Sequence, residues 1–316
     1  MSRLLFSAPQ APTPANCCAV IVIYQPDPQF FQRLQLWSTG FKHLIIISNG
    51  ASSSFYSQLD QMIAALSANI TLQINPENFG VAKALNQGLA YALQSKFTWV
   101  ITFDQDTLIY PYLLEELTSI YSNAEEKPLI LGCNYWHDAL NKAFVPQDVG
   151  AACIERKTLI SSGTLLWTGL IPRLGLLRED YFIDSVDHEF ALRARRFGLK
   201  LWMSTRILMR QSIGNSHTFQ RPALFRIPEH TALRKYYIFR NCLTTMLTYW
   251  QDEPAWCLKQ CARLLLETLT IIGFEQHKLN KLYAIALGIS HALLGKMAQL
   301  SPCPSRICPD ASQPPN

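Results

Sequence analysis

Apolar residues in the first third of the chain gather in short β-branched runs, separated by stretches where they recur every three or four positions. Residues 19–24 (AVIVIY), 43–48 (HLIIIS), 70–75 (ITLQIN) and 97–103 (FTWVITF) read as strands. The first has no polar alternation, as expected of a strand buried on both faces. Between them, Phe30, Phe31, Leu34 and Trp37 fall at helical spacing, as do Leu59, Met62, Ile63 and Leu66. A longer helix is predicted from about Gly80 to Gln94. Strands alternating with helices predict a parallel sheet with right-handed crossovers. Ligands of such sheets sit beyond the carboxyl ends of the strands. These strands end at Tyr24-Gln25, Ser48-Asn49, Asn75-Pro76 and Asp104-Gln105-Asp106, so polar side chains collect on one rim.

After about residue 125 the pattern changes. Apolar runs at 129–135, 143–146 and 150–154 predict a mixed extension of the sheet. A helix at 187–197, two short strands at 199–203 and 206–210, and a polar loop at 214–230 follow. From Thr231 to about Gln299 the spacing is helical throughout, and the last sixteen residues, with five prolines, are expected to be disordered.

Composition narrows the class without naming it. Of 316 residues, 49% are hydrophobic and 16% charged, which is globular and large enough for one big domain or two smaller ones. The net charge of +5 suits phosphate-rich substrates or an anionic membrane face, and is too diffuse for a nucleic-acid partner. Nine cysteines include no CxxC pair, which gives no zinc or thioredoxin-like pattern. Free thiols in a reducing compartment are the expectation. The start of the chain, broken by Pro9, Pro12 and Pro14, does not read as a secretory leader. No apolar stretch approaches the ~20 residues of a spanning helix.

The string ITFDQDT (101–107) carries the first candidate chemistry. A strand delivers Asp104 and Asp106 where it stops, and two hard oxygen ligands at an open rim suit Mg²⁺ or Mn²⁺ with a diphosphate completing the shell. An acidic loop capping the next helix is the plainer alternative. Upstream, Asn78, Gly80, Asn86 and Gly88 stud a helix start; Gly88 is expected to serve helix–sheet packing, since it costs roughly 1 kcal/mol against Ala in a helix. Downstream, Glu179, Asp180, Asp184, Asp187 and Glu189 surround Phe182, Ile183 and Val186. Asp187 falls in the first helical turn, where a carboxylate can be oriented as a general base or can simply cap the helix.

Taken together, these strings resemble family 2 glycosyltransferases of the GT-A fold, most closely the bacterial rhamnosyltransferases. The resemblance rests on IYQP at the first strand end, the N-x-x-N-x-G-x-A-x-A-x-N-x-G pattern at 75–88, and DQD. It continues through Ser162-Gly163-Thr164, FIDSVDHE (182–189) and R-x-Y-Y-x-x-R-N (234–241). It implies a GT-A catalytic domain at 17–230, a Rossmann-like, mostly parallel sheet flanked by helices. A C-terminal helical extension at 231–300 packs on it, with disordered segments at 1–16 and 301–316.

The resemblance also implies roles. Asp187 would be the catalytic base of an inverting transfer. Asp104, Asp106 and Gln211 would bind Mg²⁺ or Mn²⁺, with Gln211 standing where the family has His, and His217 a second candidate for that place. Tyr24, Gln25, Asn49, Asn78, Lys83, Asp104 and Arg234 would bind the nucleotide-sugar donor, and Ser162, Gly163, Thr164 and Asp184 the acceptor. Arg240 would either meet the diphosphate or pair with Asn241 between helices. Ser48 replaces the family's base-binding Asp. The implied reaction moves rhamnose from its dTDP donor to a saccharide or lipid-linked acceptor for cell-surface polysaccharide, in the cytoplasm or at the cytoplasmic face of the inner membrane.

Two rivals compete with this. A phosphatase of the haloacid-dehalogenase type wants Asp-x-Asp-x-Thr/Val, but Thr107 follows Asp106 directly and Leu108 holds the expected place. A non-catalytic nucleotide-sugar-binding protein is motivated by Ser48 and Gln211. The apolar and basic tail is either a packed helical hairpin or a surface for anionic lipid.

Overall fold

The computed structural model describes residues 8–138, 141–147, 150–211 and 229–308. They form two compact units. The first comprises the described residues of Met1–Leu177 and Arg193–Ser212; the second comprises those of Arg178–Leu192 and Ile213–Asn316.

The first unit opens with β1 (Cys17–Ile23), α1 (Phe30–Gly40), β2 (His43–Ser48), α2 (Ser53–Ala65), β3 (Asn69–Ile74), α3 (Val81–Gln94) and β4 (Trp99–Asp104). The expected parallel alternation is present. β3, β2, β1 and β4 lie side by side, all parallel, with Ile21 facing Ile46 on one side and Phe103 on the other. β1 is buried almost throughout, as its unbroken apolar run requires. From α1, Phe30, Leu34 and Trp37 enter the core, and Trp37 stacks on Phe103 at 6.3 Å. Each fully buried side chain of this kind contributes roughly 1.5–3 kcal/mol. Gly88 does pack α3 on the sheet: a Cβ there would meet Val20 Cγ1 at 2.3 Å.

Beyond β4 come β5 (Leu108–Ile109), α4 (Leu113–Asn123), β6 (Ile130–His137), β7 (Lys142–Ala143), β8 (Cys153–Arg156), β9 (Thr164–Trp167), α5 (Ile171–Leu174), α6 (Val186–Arg196) and β10 (Leu201–Gln211). They extend the sheet in the order β4-β9-β6-β10-β5, with β9 antiparallel to both neighbours and β6 parallel to β10. The two short strands expected at 199–203 and 206–210 are one strand with irregular register. Ser204 makes this possible: its hydroxyl accepts from the Asn134 N–H and donates to the Arg206 carbonyl. The Asn134 amide in turn donates to the Thr205 carbonyl at 2.7 Å. Polar residues that look like a break thus hold a bulge.

The second unit holds the start of α6 and α7 (Ala232–Tyr249), α8 (Pro254–Phe274) and α9 (Lys278–Leu293). Thr231 caps α7, its hydroxyl accepting from the Arg234 N–H. α7 and α9 approach closely at Gly288, where a Cβ would lie 2.6 Å from the Tyr236 carbonyl oxygen. A chain of buried charges ties the three helices together: Lys235 to Glu267 at 2.8 Å and to Glu275 at 3.7 Å, then Glu275 to Lys281 at 2.8 Å.

Described residues 8–16 are tied to the rest of the first unit through their backbone carbonyls. Pro-rich chain leaves carbonyls free to accept, and Trp99 Nε1 donates to Gln10, Thr118 to Pro12 and Tyr121 to Pro9. Cys303 and Cys308 form a disulfide, a correction to the expectation of free thiols. Ile307 between them is buried.

Candidate active site

In the first unit, the strand ends are joined by side chains that imitate a ladder. Gln105 exchanges two hydrogen bonds with Tyr24, accepting from its N–H at 2.7 Å and donating to its carbonyl at 2.9 Å. This staple fixes the loop holding Asp104 and Asp106 against the end of β1. Ser162 braces the same turn from behind: it accepts from the Asp104 N–H at 3.2 Å and lies 2.6 Å from the Thr107 hydroxyl. Gly163 follows at φ 74°, where a Cβ would meet Met209 Sδ at 2.6 Å. Thr164 bonds back to the Ile160 carbonyl. Ser162, expected to meet the acceptor, is instead 1% exposed and spent on support.

Gln211, at the end of β10, reaches Asp104: Nε2 donates to Oδ2 at 3.2 Å. Among the described residues Gln211 Oε1 is buried without a hydrogen-bond partner. An orphaned carbonyl oxygen beside a carboxylate costs free energy unless a ligand meets it. Two carboxylates and an amide oxygen are a hard, all-oxygen donor set, which fits Mg²⁺ or Mn²⁺ with water and phosphate in the remaining positions. No group of three or more His, Cys, Asp or Glu is placed to hold a metal among the described residues, and the Gln211 amide belongs to the side chain that touches Asp104. His217 lies outside the described residues.

Asp106 has a neighbour that the sequence did not announce. Burial raises its carboxyl above the usual range, and the Arg33 charge opposes this while Asp27 adds to it. Arg33 is 6% exposed and pairs with Asp27 at 2.6 Å. The signal was present: Arg33 sits on the buried face of α1, one position before Leu34, where a charge needs a reason.

The Asn- and Gly-rich stretch is largely framework. Asn49 donates to the Gly80 carbonyl and accepts from Asn75, which also pairs with Gln87. Asn49 is 3% exposed, so its expected donor contact gives way to joining β2 to the start of α3. Asn86 exchanges two hydrogen bonds with the backbone of Leu177. Asn78 accepts from the Gly80 N–H, shaping the turn at Gly80, whose φ is 84°. Lys83 lies over the Phe79 ring at 4.2 Å. Gln25 is exposed, with φ 44°, and Tyr24 lies against Gly50. Burial raises the Tyr24 hydroxyl, partly offset by Asn78. Ser48 is fully buried and bonds to Tyr56.

In the second unit, the acidic string bends sharply before α6. Phe182, Asp184 and Ser185 all have positive φ, at 63°, 65° and 61°. Non-glycine residues there are strained and persist only where their surroundings hold them. Asn241 does so: its amide donates to the carbonyls of Tyr181, Ile183 and Asp184. Arg240 adds bonds to the carbonyls of Asp180 and Ala298 and to Asn241. Arg240 is 0% exposed, so the packing role is the one realised and it does not meet a diphosphate.

The clamped loop delivers Asp184 and Asp187. Asp184 meets Arg234 through two contacts of 3.3 and 3.4 Å. Burial pushes its carboxyl up, against the pull of Arg234. Asp187, in the first turn of α6, accepts from the His188 N–H at 2.8 Å. A cavity of about 290 Å³ in this unit is lined by Asp184, Ser185, His188, His230, Gln260 and Arg263, among others. His188 Nδ1 is buried there without a partner among the described residues. Its polar wall carries both donors and acceptors, the composition that suits a polyhydroxylated molecule. Neither histidine was singled out from sequence, because each stands alone in its own stretch.

The chain is similar to known glycosyltransferases in sequence and to solved structures in fold. The model of glycosyl transferase family 2 matches residues 28–148. Over 283 residues the chain is 25% identical to the dTDP-rhamnosyl transferase RfbF of Shigella flexneri, covering 84% of this chain and 91% of that protein. Among solved structures it is similar to S. aureus TarS 1-349 in complex with UDP-GlcNAc, with TM-score 0.59, 13% identity, 88% of this chain and 81% of that one covered. The complex of the same protein with UDP gives TM-score 0.51 at 11% identity, over 88% and 89% of the two chains. The likeness to these structures is one of fold.

Proposed function

We propose that the chain is a member of glycosyl transferase family 2, whose model matches residues 28–148, and that it catalyses an inverting, metal-dependent transfer of rhamnose from dTDP-rhamnose to a saccharide or lipid-linked saccharide, for cell-surface polysaccharide. Relatedness to a dTDP-rhamnosyl transferase supports the choice of donor. The observation that carries the chemistry is the Gln211–Asp104 contact at the close of β4, with the Gln211 carbonyl oxygen left unpartnered among the described residues.

Asp104, Asp106 and Gln211 would hold Mg²⁺ or Mn²⁺, which when bound neutralises charge on a departing diphosphate. Gln105 keeps the two carboxylates in place through its staple to Tyr24. Tyr24, Gln25, Asn78 and Lys83 contact the nucleotide, and Arg234 the diphosphate. Asp187 takes the proton of the acceptor hydroxyl, oriented by the His188 N–H. The acceptor oxygen then bonds to the anomeric carbon from the face opposite the leaving group, with one inversion. Asp184 and the polar cavity beside it receive the acceptor sugar.

Calorimetric titration of dTDP-rhamnose with and without Mn²⁺, followed by NMR assignment of the product anomer, tests this. Metal-enhanced binding and an inverted product are expected. Binding indifferent to metal would leave a nucleotide-sugar-binding protein without this chemistry.

A further inference from the structure

Over Pro254–Cys308 the acids are buried while the exposed charges are basic. From Pro254 to Cys308 the chain contains two acids, Glu267 and Glu275, and both are buried and paired with Lys235, Lys281 or Arg263. Every exposed charge over the same residues is positive: Lys259, Arg263, Lys278, Lys296 and Arg306.

The exposed surface between these charges is apolar. On α8, Leu258, Leu265, Leu269 and Ile272 are 59%, 63%, 49% and 50% exposed. Their intervals of seven, four and three residues put them on one face of the helix. On α9, Leu279 is 82% exposed and Leu293 66%. A core hairpin would turn such a stripe inward. Here the inward faces are already filled by Trp256, Cys257, Leu264 and Ile271 from α8 and by Ala284 and Ile285 from α9. The stripes are thus a second apolar face on each helix.

We propose that this face of α8 and α9 lies on a bilayer surface rich in anionic lipid. The apolar stripe enters the headgroup–acyl boundary while the lysines and arginines meet lipid phosphates, the arrangement of in-plane amphipathic helices. Among the described residues no helix is long and apolar enough to cross a membrane, which agrees with helices lying in the plane. Trp250, Phe274 and Tyr283 are 47%, 45% and 39% exposed, and aromatic rings favour that interface. A second copy is the weaker occupant, because self-association would bring like charges together with no exposed carboxylate on these helices to answer them.

Flotation of the full chain with phosphatidylcholine vesicles, with and without phosphatidylglycerol, tests the proposal. The protein is expected to float with phosphatidylglycerol vesicles at low salt and to be released by high salt. Lys259→Glu combined with Lys296→Glu should cut partitioning at least tenfold, as should Leu265→Ser combined with Leu269→Ser. All four side chains are exposed, so circular dichroism and melting should match the wild type. Failure to float overturns the proposal, as does flotation that ignores lipid charge and both pairs of substitutions. Sedimentation of the unbound chain as a dimer that Leu265→Ser/Leu269→Ser dissolves would assign the face to self-association instead.

Discussion

Gln211 Nε2 donates to Asp104 Oδ2 at 3.2 Å, while the Oε1 of the same amide is buried without a partner among the described residues. A metal bound at Asp104 would require this amide to turn, exchanging its donor for its acceptor. The side chain is therefore matched to hard, oxygen-loving ions and offers nothing to softer ones. Replacing Gln211 by His should raise affinity for Mn²⁺ more than for Mg²⁺, by roughly tenfold, since imidazole favours the transition metal. Calorimetry of each ion in the presence of dTDP measures the ratio.

Asn241 is a fully buried amide that holds three carbonyls of a strained loop. Asn241→Ala should release Phe182, Asp184 and Ser185 from positive φ and misplace Asp187. Transfer should fall about a hundredfold, the scale expected for a displacement of about 1 Å at a reacting group. Donor binding, measured separately, should change little.

Gly88 and Gly288 stand where neighbouring elements pack closely. Gly88→Ala brings a Cβ to 2.3 Å from Val20 Cγ1, and Gly288→Ala brings one to 2.6 Å from the Tyr236 carbonyl oxygen. Each should destabilise by about 1–3 kcal/mol through overpacking. The Gly288 substitution should be the costlier, because a backbone carbonyl yields less than a valine rotamer. Urea denaturation gives both values.

Lys235 is fully buried between Glu267 and Glu275. Lys235→Met removes one cation from each of two buried carboxylates, which keep Arg263 and Lys281 as partners, and should cost up to about 3–5 kcal/mol, the scale for breaking a buried pair. A loss under about 1 kcal/mol would mean that Arg263 and Lys281 suffice for the two acids.

His230 is pushed down to about 3 by burial and by the charges of Arg234, Lys235, Lys281 and Arg263. Its ordinary value is about 6.5. Between these two values the unfolded chain binds a proton that the folded chain refuses, so stability falls as pH drops through that window. His230→Gln should flatten the decline, and melting temperature against pH shows whether it does.

The parallel half of the sheet was legible because β1, β2 and β4 are continuous apolar runs with helical spacing between them. β10 was not, because Ser204, Thr205 and Arg206 read as an interruption, and only Asn134, seventy residues earlier, turns them into a bulge. The carboxylates Asp104, Asp106 and Asp187 were visible as patterned acids at element boundaries. Of their supports, Ser162 was visible only as an acceptor contact and Arg240 with Asn241 only as a pair between helices, and Gln105 was not visible; all act on backbone groups, which leave no trace in side-chain patterning. For the same reason the strings around Asn49 and Ser162 suggested ligand contacts where the side chains are spent on framework. The segment Arg178–Leu192 groups with the C-terminal helices through such backbone bonds.

In the proposed transfer, donor and acceptor chemistry rest on different carboxylates, Asp106 with the metal and Asp187 with the acceptor hydroxyl. Binding of dTDP-rhamnose and transfer, each measured with Mn²⁺ for Asp106→Asn and Asp187→Asn, separate them. The account predicts that Asp187→Asn keeps metal-enhanced donor binding but loses at least about a hundredfold in transfer, the minimum for a general base, while Asp106→Asn loses both. Transfer at the wild-type rate by Asp187→Asn, or metal-enhanced binding that survives Asp106→Asn, would contradict it.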